Sequence, residues 1–182
     1  MSFGAKSGSR PRGRKREERP REEREFDQTI IDIARVTRVM AGGKRMRFRA
    51  CVVIGDRKGR VGLGVAKGAD VTAAVEKAVE KAKKKMVRVP MINDTIPHRI
   101  DIKFGAARLM LKPAPQGRGI IAGGAVRSVL DLAGVKNVVA KILGTRNKIN
   151  NVQAAVLGLS QLRVAPKKEE KAKASEKIIA KA

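Results

Sequence analysis

Basic side chains crowd around a Gly-Gly pair, where their charges could bind the phosphates of a polyanion. Gly42 and Gly43 supply the positive φ that a tight β-hairpin needs, so the sequence predicts a basic finger able to enter a groove or lie between RNA helices. The alternative is a pair of strands whose polar face lies in solvent. The residues predicted to contact RNA here are Arg35, Thr37, Arg38, Gly42, Gly43, Lys44, Arg45 and Arg47.

A second basic cluster lies in and after a predicted turn at residues 56–59. Three glycines in the strand that follows, at positions 62, 64 and 68, would let the backbone approach a phosphate closely. They would equally relieve crowding in a twisted strand, and the sequence does not decide between the two uses. The candidate RNA contacts of this cluster are Arg57, Lys58, Arg60 and Lys67.

Residues suited to catalysis are scarce. GRGIIA at 117–122 fits the loose dinucleotide fingerprint GxGxxA, but the acidic residue expected about twenty positions later is missing. We therefore expect close packing of this loop, or backbone N–H groups facing an RNA phosphate. His98 and Cys51 are alone in their types and cannot build a tetrahedral zinc site, so a packing role is expected for both. No Walker loop occurs, and the sequence predicts a protein that is not an enzyme and uses no metal or cofactor.

The distribution of charge favours a nucleic-acid partner. Lys and Arg number 42 against 17 Asp and Glu, a formal net charge of +25. Residues 26–162 hold 26 of the basic and 9 of the acidic side chains, so the terminal segments account for only part of the excess. A compact domain with that charge repels itself unless a polyanion neutralises it. Nucleic acid meets this need because binding its phosphates releases counterions.

The scarcity of aromatic residues, 2% of the chain, indicates which RNA is bound. Platforms for single strands stack bases on two or three exposed rings, whereas at most two phenylalanines are expected to be ordered here, both in core positions. Folded, helical RNA fits better. The apolar runs are too short to span a membrane, and no secretory signal is expected. A single cysteine suits a reducing cytoplasm, where the protein is predicted to act without a membrane partner.

Two small α+β units are predicted to position these residues. The first, residues 26–90, has the order β-β-β-α, and the second, residues 91–163, has the order β-β-α-β-α. Residues 1–25 are predicted to be a disordered basic arm and residues 164–182 a Lys/Ala/Glu-rich tail, so both ends are interpreted as disordered basic tails.

In the first unit, alternation and turn residues predict an antiparallel meander. Its strands are expected at 29–40, 46–54 and 60–66, with hairpin turns at 41–44 and 56–59. Asp70 is the predicted N-cap of a long helix bounded by Pro90. The residues on its apolar face recur with the 3.6-residue period and are Val71, Ala74, Val75, Ala78, Val79, Ala82 and Met86.

In the second unit, strands are expected around 100–104, 108–111 and 137–145. The short helix between them turns Val126, Val129, Leu130 and Ala133 inward, and Gly134 is its predicted stop. Asn150 or Asn151 is expected to cap the last helix, whose apolar face is Val152, Ala155, Val156, Leu159 and Leu162.

Three stretches together, ACVVIGDRKGRVGLGVAKGADVTAAVEKAVEKAKKKM, TIPH and GRGIIAGGAVRSVLDLAGVKNVVAKILGTRNKINNVQAAVLGL, resemble the family of the fifth protein of the bacterial small ribosomal subunit. The resemblance covers about residues 30–162. It implies a first domain like a double-stranded-RNA-binding fold without its first helix, and a β-α-β second domain with a left-handed crossover. It further implies no enzymatic activity, binding to 16S rRNA where head meets body, and a role in decoding accuracy.

Carried over by position, the resemblance also assigns residues. Arg35 matches the family's arginine at the mRNA entry path, and the hairpin Arg35–Arg47 lies near the spectinomycin site in that family. Gly117 and Arg127 match the region facing the fourth small-subunit protein, and the eighth is also a neighbour. The alternative is a free-standing binder of double-stranded RNA or nucleoid DNA. A small-molecule kinase of related topology would need a Lys or Ser in its phosphate loop, and GRGIIAGG has neither.

Overall fold

The computed structural model describes residues 26–163; the segments predicted to be a basic arm and a tail, 1–25 and 164–182, lie outside them. The predicted α+β class and both element orders are confirmed, with one short strand added in each unit. The strands are β1 Asp27–Met40, β2 Gly43–Gly55, β3 Arg60–Gly68, β4 Met86–Arg88, β5 Ile100–Phe104, β6 Ala107–Pro113, β7 Ile120–Ile121 and β8 Val138–Ile142, and the helices are α1 Val71–Lys84, α2 Gly124–Ala133 and α3 Lys148–Gln161.

The first sheet is antiparallel, in the order β1-β2-β3-β4. Met40 pairs with Gly43, so the hairpin turn is only Ala41-Gly42, shorter than predicted. Of the two glycines, only Gly43 has a positive φ, 139°.

Strand β4 was not expected, because the sequence pattern extended the first helix toward Pro90. The helix ends at Lys84, and the N–H of Lys85 bonds the Ala82 carbonyl. The next residues, 86–88, pair with β3 instead, and the N–H of Val89 donates to the Gly59 carbonyl at 2.7 Å. Pairing with β3 satisfies the backbone of this segment, and Val89 directly after it is buried.

Helix α1 lies very close to β3 because glycines on the strand face alanines on the helix. A Cβ at Gly68 would lie 2.6 Å from the N of Ala74, and one at Gly62 would lie 2.5 Å from the O of Ala82. One at Gly64 would collide with the Ala78 carbonyl. These buried glycines therefore admit the helix; they are not available to a phosphate. Asp70 occupies the predicted N-cap position but makes no side-chain capping bond.

The second sheet has the order β5-β6-β8-β7, with α2 and α3 packed on one face. The loop that resembles a dinucleotide fingerprint forms β7, which pairs parallel to β8 across α2. The hand of this crossover stays a prediction. The predicted inward face of α2 is buried, and Gly134 ends the helix with φ 85°.

The predicted cap of α3 is wrong. Asn147 caps it, since its side chain accepts a hydrogen bond from the N–H of Ile149 at 3.1 Å. Asn150 and Asn151 lie inside the first turn, where Asn151 is buried and donates its amide to the Thr145 carbonyl at 2.9 Å. The apolar face predicted for α3 is otherwise as expected.

The two units share a core, which alternation in β2 did not predict. Val53 and Val61 of the first sheet pack with residues of α2 and α3, so β2 is buried on both faces from Ala50 onward. The turn at 56–59 is fastened to the end of α2, because the N–H of Arg57 donates to Leu132 O and that of Gly59 to Ala133 O, both at 3.0 Å. The hairpin and the second sheet are thereby parts of one body.

Candidate nucleic-acid interface

The outer part of the β1–β2 hairpin projects into solvent, while the inner parts of both strands pack in the body of the protein. Every residue from Thr37 to Arg47 is exposed. The tip carries large apolar side chains in solvent, with Val39 71% and Met46 50% exposed. Stability gives no reason to display such residues together, and a two-stranded basic ribbon of this kind suits insertion against another macromolecule.

The pairing register divides the predicted contacts between two faces, because residues directly opposite each other in an antiparallel pair share a face. Arg38 pairs with Arg45, and Arg47 follows on the same face. Arg35 pairs with Phe48, and Lys44 with Val39, on the opposite face, which continues toward α1. The eight predicted contacts therefore do not form a single surface.

The face of Arg38 and Arg45 continues inward along β2. Arg49 is next on that face and pairs with Lys67 of β3, a candidate from the second predicted cluster. We call Arg38, Arg45, Arg47, Arg49 and Lys67 the basic strip. Sequence reasoning missed Arg49, although its two-residue spacing from Arg45 and Arg47 was visible.

The inner end of the strip is partly neutralised. Arg49 lies 3.5 Å from one carboxylate oxygen of Asp32, and the ammonium of Lys148 lies 3.4 Å from the other. Toward the tip, the positive charge is uncompensated: within residues 26–163, no carboxylate lies within 4.0 Å of Arg38, Arg45 or Arg47. Like charges directly opposite destabilise a sheet, so the Arg38–Arg45 pair does not contribute to the stability of the fold.

Two of the four residues in the second predicted cluster form ion pairs within the protein, and their contact with RNA stays a prediction. The guanidinium of Arg57 lies 3.0 Å from Asp27, and that of Arg60 lies 2.6 Å from Asp56 and over the Phe26 ring. Burial alone would raise the pKa of Asp56, but hydrogen bonds from the Arg60 guanidinium and from the N–H groups of Arg60 and Lys58 outweigh it and lower the pKa to about 2. Of this cluster, Lys58 and Lys67 are exposed and form none of the observed ion pairs within 26–163.

The remaining singled-out residues divide between packing and exposure. Cys51 is fully buried, and burial together with the nearby Asp32 carboxylate raises its pKa to about 11. His98 is exposed, contrary to expectation; its Nε2 accepts a hydrogen bond from the N–H of Arg163 at 3.2 Å. The structure describes three phenylalanines where at most two were expected. Phe26 and Phe48 pack partly buried against the first core, but the expected core position is wrong for Phe104, which is 38% exposed.

Gly117 and Arg127, the residues matched to a protein neighbour, are both exposed. Gly117 has φ 85°, and a Cβ there would meet no heavy atom within 4 Å. In the part of the chain that the structure describes, no group of three or more His, Cys, Asp or Glu side chains is placed to hold a metal ion. Nor is any described helix both long and apolar enough to cross a bilayer.

A basic, two-unit α+β body with a projecting cationic hairpin is typical of an RNA-binding protein. Comparison with protein-family models gives the family. The model described as ribosomal protein S5, N-terminal domain, matches residues 26–90, and that described as ribosomal protein S5, C-terminal domain, matches residues 102–173. The chain belongs to the ribosomal protein S5 family.

Membership of this family establishes the general function of the chain. The chain is a structural protein of the small ribosomal subunit that binds 16S rRNA, and it is not an enzyme. The predicted ribonucleoprotein role in translation and the cytoplasmic, ribosomal location are those of this family.

Proposed function

We propose that this chain binds 16S rRNA at the junction of head and body through the β1–β2 hairpin, and that it thereby supports decoding accuracy. The observation that carries the proposal is the Arg38–Arg45 pair on an exposed ribbon, with Arg47, Arg49 and Lys67 continuing the same face. An exposed strip of this sign neutralises phosphates without needing base sequence.

The tip of the hairpin adds apolar contact to this charge. Val39 and Met46 lie on the face opposite the strip, so the ribbon presents cations on one side and a mixed surface on the other. Lys44 and Arg35 belong to that mixed side. A ribbon lying between two RNA helices would contact phosphates with the strip and sugar or base edges with the mixed side.

The finer assignments follow from the resemblance and from exposure. Arg35 would line the mRNA entry path, which fits its exposed position on the mixed side of the hairpin. Gly117 and Arg127 would face the fourth small-subunit protein, and the eighth would be a second neighbour. An open left-handed glycine and an exposed arginine supply space and charge for such a contact.

The salt dependence of rRNA binding tests the hairpin. Replacing Arg38 and Arg45 with Ala in the full chain should weaken binding to 16S rRNA. It should also flatten the slope of log K against log salt by about 0.7–0.9 for each phosphate that the protein no longer neutralises. Replacing Lys83 and Lys84, exposed on α1, is the matched control and should flatten the slope less or not at all. Equal slopes in the two variants would refute the hairpin assignment.

The free-standing alternative makes a different prediction. A protein working outside the ribosome should bind an isolated RNA duplex as tightly as it binds 16S rRNA, whereas the ribosomal proposal requires a clear preference for the folded junction. Measuring both affinities at one salt concentration separates the two proposals. The nonspecific electrostatic contribution is then comparable for the duplex and for 16S rRNA, and a remaining preference for 16S rRNA reflects recognition of the folded junction.

A further inference from the structure

Asp32 lies at the inner end of the basic strip, next to Arg49. It pairs with Cys51 of β2, and Ala34 pairs with Arg49, so Asp32 is the next residue inward on the face that carries the strip. One of its carboxylate oxygens lies 3.5 Å from Nη2 of Arg49, and the other lies 3.4 Å from Nζ of Lys148. A single carboxylate therefore joins the hairpin to the first residue of α3, in the second unit.

A β-bulge in β1 puts Asp32 on this face. The register of β1 against β2 shifts between Ile30 and Asp32, which leaves Ile31 as the extra residue of the bulge. Side chains alternate between the two faces of a strand, so without the extra residue Asp32 and Arg38 would turn to the opposite face. The bulge thus directs both the carboxylate and the last arginine of β1 to the strip.

Arg49 needs a partner to stay in its observed position. Its Nε is buried and, within residues 26–163, has no hydrogen-bond acceptor. A buried N–H without an acceptor is unfavourable, because the group has given up its hydrogen bonds to water. In the same range, Asp32 carries the only carboxylate within 4.0 Å of Arg49. The attraction of this carboxylate therefore opposes the tendency of the guanidinium to move out into solvent.

A held side chain and a held hairpin both favour binding to a structured partner. Arg49 lies between the exposed arginines of the hairpin and Lys67 of β3, in the middle of the strip. A long side chain that is already ordered loses less conformational entropy when it contacts a phosphate. The contact between Asp32 and Lys148 acts on the whole ribbon, because it holds the inner part of β1 against α3.

We propose that Asp32 is a positioning residue for rRNA binding: it holds Arg49 in line with the basic strip and, through Lys148, holds the base of the hairpin against the second unit. This role presumes that the strip binds rRNA and so rests on the proposed function. The sign of the effect is distinctive, because a carboxylate would assist the binding of a polyanion that its own charge repels.

Replacing Asp32 with Asn in the full chain separates position from charge. Asn has nearly the shape of Asp, so the variant should fold, which thermal unfolding checks. Charge alone predicts tighter binding to 16S rRNA, because the protein loses one negative charge. Loss of positioning predicts the opposite, a Kd about threefold higher, the modest size expected for partly exposed ion pairs. Asp101→Asn is the matched control: it removes a carboxylate that lies 3.0 Å from Arg99 in the second unit, and its rRNA binding should stay equal or tighten.

Two further variants test the two contacts of the carboxylate. Asp32→Glu keeps the charge and can still reach both cations, so it should restore most of the affinity. A Glu variant as weak as Asp32→Asn would assign the loss to packing and overturn the positioning role. Lys148→Gln should weaken binding, and adding it to Asp32→Asn should weaken binding no further. Full additivity of the two losses would overturn the link through Lys148.

Lys148→Gln also decides the matter if Asp32→Asn does not fold, because Lys148 is exposed. It should weaken rRNA binding more than Lys136→Gln, which removes a similarly exposed lysine paired with Asp94, and equal losses would overturn the inference.

Failure of this inference differs from failure of the proposed function. If Asp32→Asn binds 16S rRNA as tightly as Asp101→Asn, while the Arg38→Ala, Arg45→Ala variant still has a flatter salt slope, only the positioning role fails. If that hairpin variant also binds like wild type, the proposed function fails with it.

Discussion

Substituting Gly64 with Ala should push helix α1 away from the first sheet. The added Cβ would collide with the carbonyl oxygen of Ala78 and lie 2.8 Å from its carbonyl carbon and 2.9 Å from the N of Ala82. Non-bonded carbon atoms normally sit about 3.5–4.0 Å apart, so the helix must retreat by about 1 Å. Because Gly64 faces the middle of α1, tilting cannot relieve the clash, and packing on either side of the glycine loosens as well.

The loss of stability expected for Gly64→Ala depends on the added Cβ meeting backbone atoms of α1 rather than a flexible side chain. Overpacking a core costs about 1–3 kcal/mol, and we expect about 3 kcal/mol because backbone cannot rotate out of the way. For a chain of this length, that lowers Tm by about 6–12 °C, measured by calorimetry or circular dichroism. Gly124→Ala is the control, because a Cβ at Gly124 meets nothing within 4 Å and φ there is not positive. A Gly64→Ala protein within about 1 kcal/mol of wild type would refute the close-packing explanation of these glycines.

Three further outcomes are expected. Asp56→Asn should destabilise the protein at pH values above 3.8, the ordinary carboxyl pKa, and the difference from wild type should vanish as the pH falls through about 2. The lowered pKa contributes stability only while the carboxylate is charged, so a difference in urea midpoint that does not change with pH would contradict this. The Cys51 thiol, buried and with its pKa raised to about 11, should react with a disulfide reagent at pH 8 only after unfolding, so rapid native labelling would count against the packing role. Gly117→Asp should change misreading of a reporter stop codon more than the uncharged Gly117→Asn does, because both substitutions share the strain at φ 85° and only Asp adds a charge. Calorimetry should find no ATP or NAD binding in the Gly117→Asp protein, as in wild type.

Local patterns predicted much of this fold because they report local physics. The period of the alanines in α1 and the stop at Gly134 depend only on neighbours in sequence. Several asparagines near residue 150 could cap α3, and residues 86–88 could extend α1 or form a strand. The surrounding structure decides in both cases, selecting Asn147 as the cap and pairing residues 86–88 with β3. The continuous apolar run from Ala50 to Ile54 was a signal of burial on both faces, but its cause, the second unit packed on β2, lies far away in sequence.

The sequence predicted which basic residues form the candidate interface better than it predicted how they are arranged. Counting cations located the hairpin, yet the division into two faces depends on the Met40–Gly43 register, which a four-residue turn would have changed. Counting cations also did not reveal that Arg57 forms an ion pair with Asp27 and Arg60 with Asp56. Their contact with RNA stays a prediction. The outer face of the second sheet brings together cations from three strands, which sequence order alone did not reveal; they are Lys103, Arg108, Lys112 and Lys141.

Sedimentation tests the central claim most directly. In lysate run on a sucrose gradient after a moderate-salt wash, the wild-type chain should travel with the small ribosomal subunit. A variant with the four exposed cations of the basic strip, Arg38, Arg45, Arg47 and Lys67, changed to Gln should fold but shift toward the free fractions, because it lacks the charges that bind phosphates. Wild-type protein found mainly in free fractions during active growth, or a strip variant retained as firmly as wild type, would contradict the account.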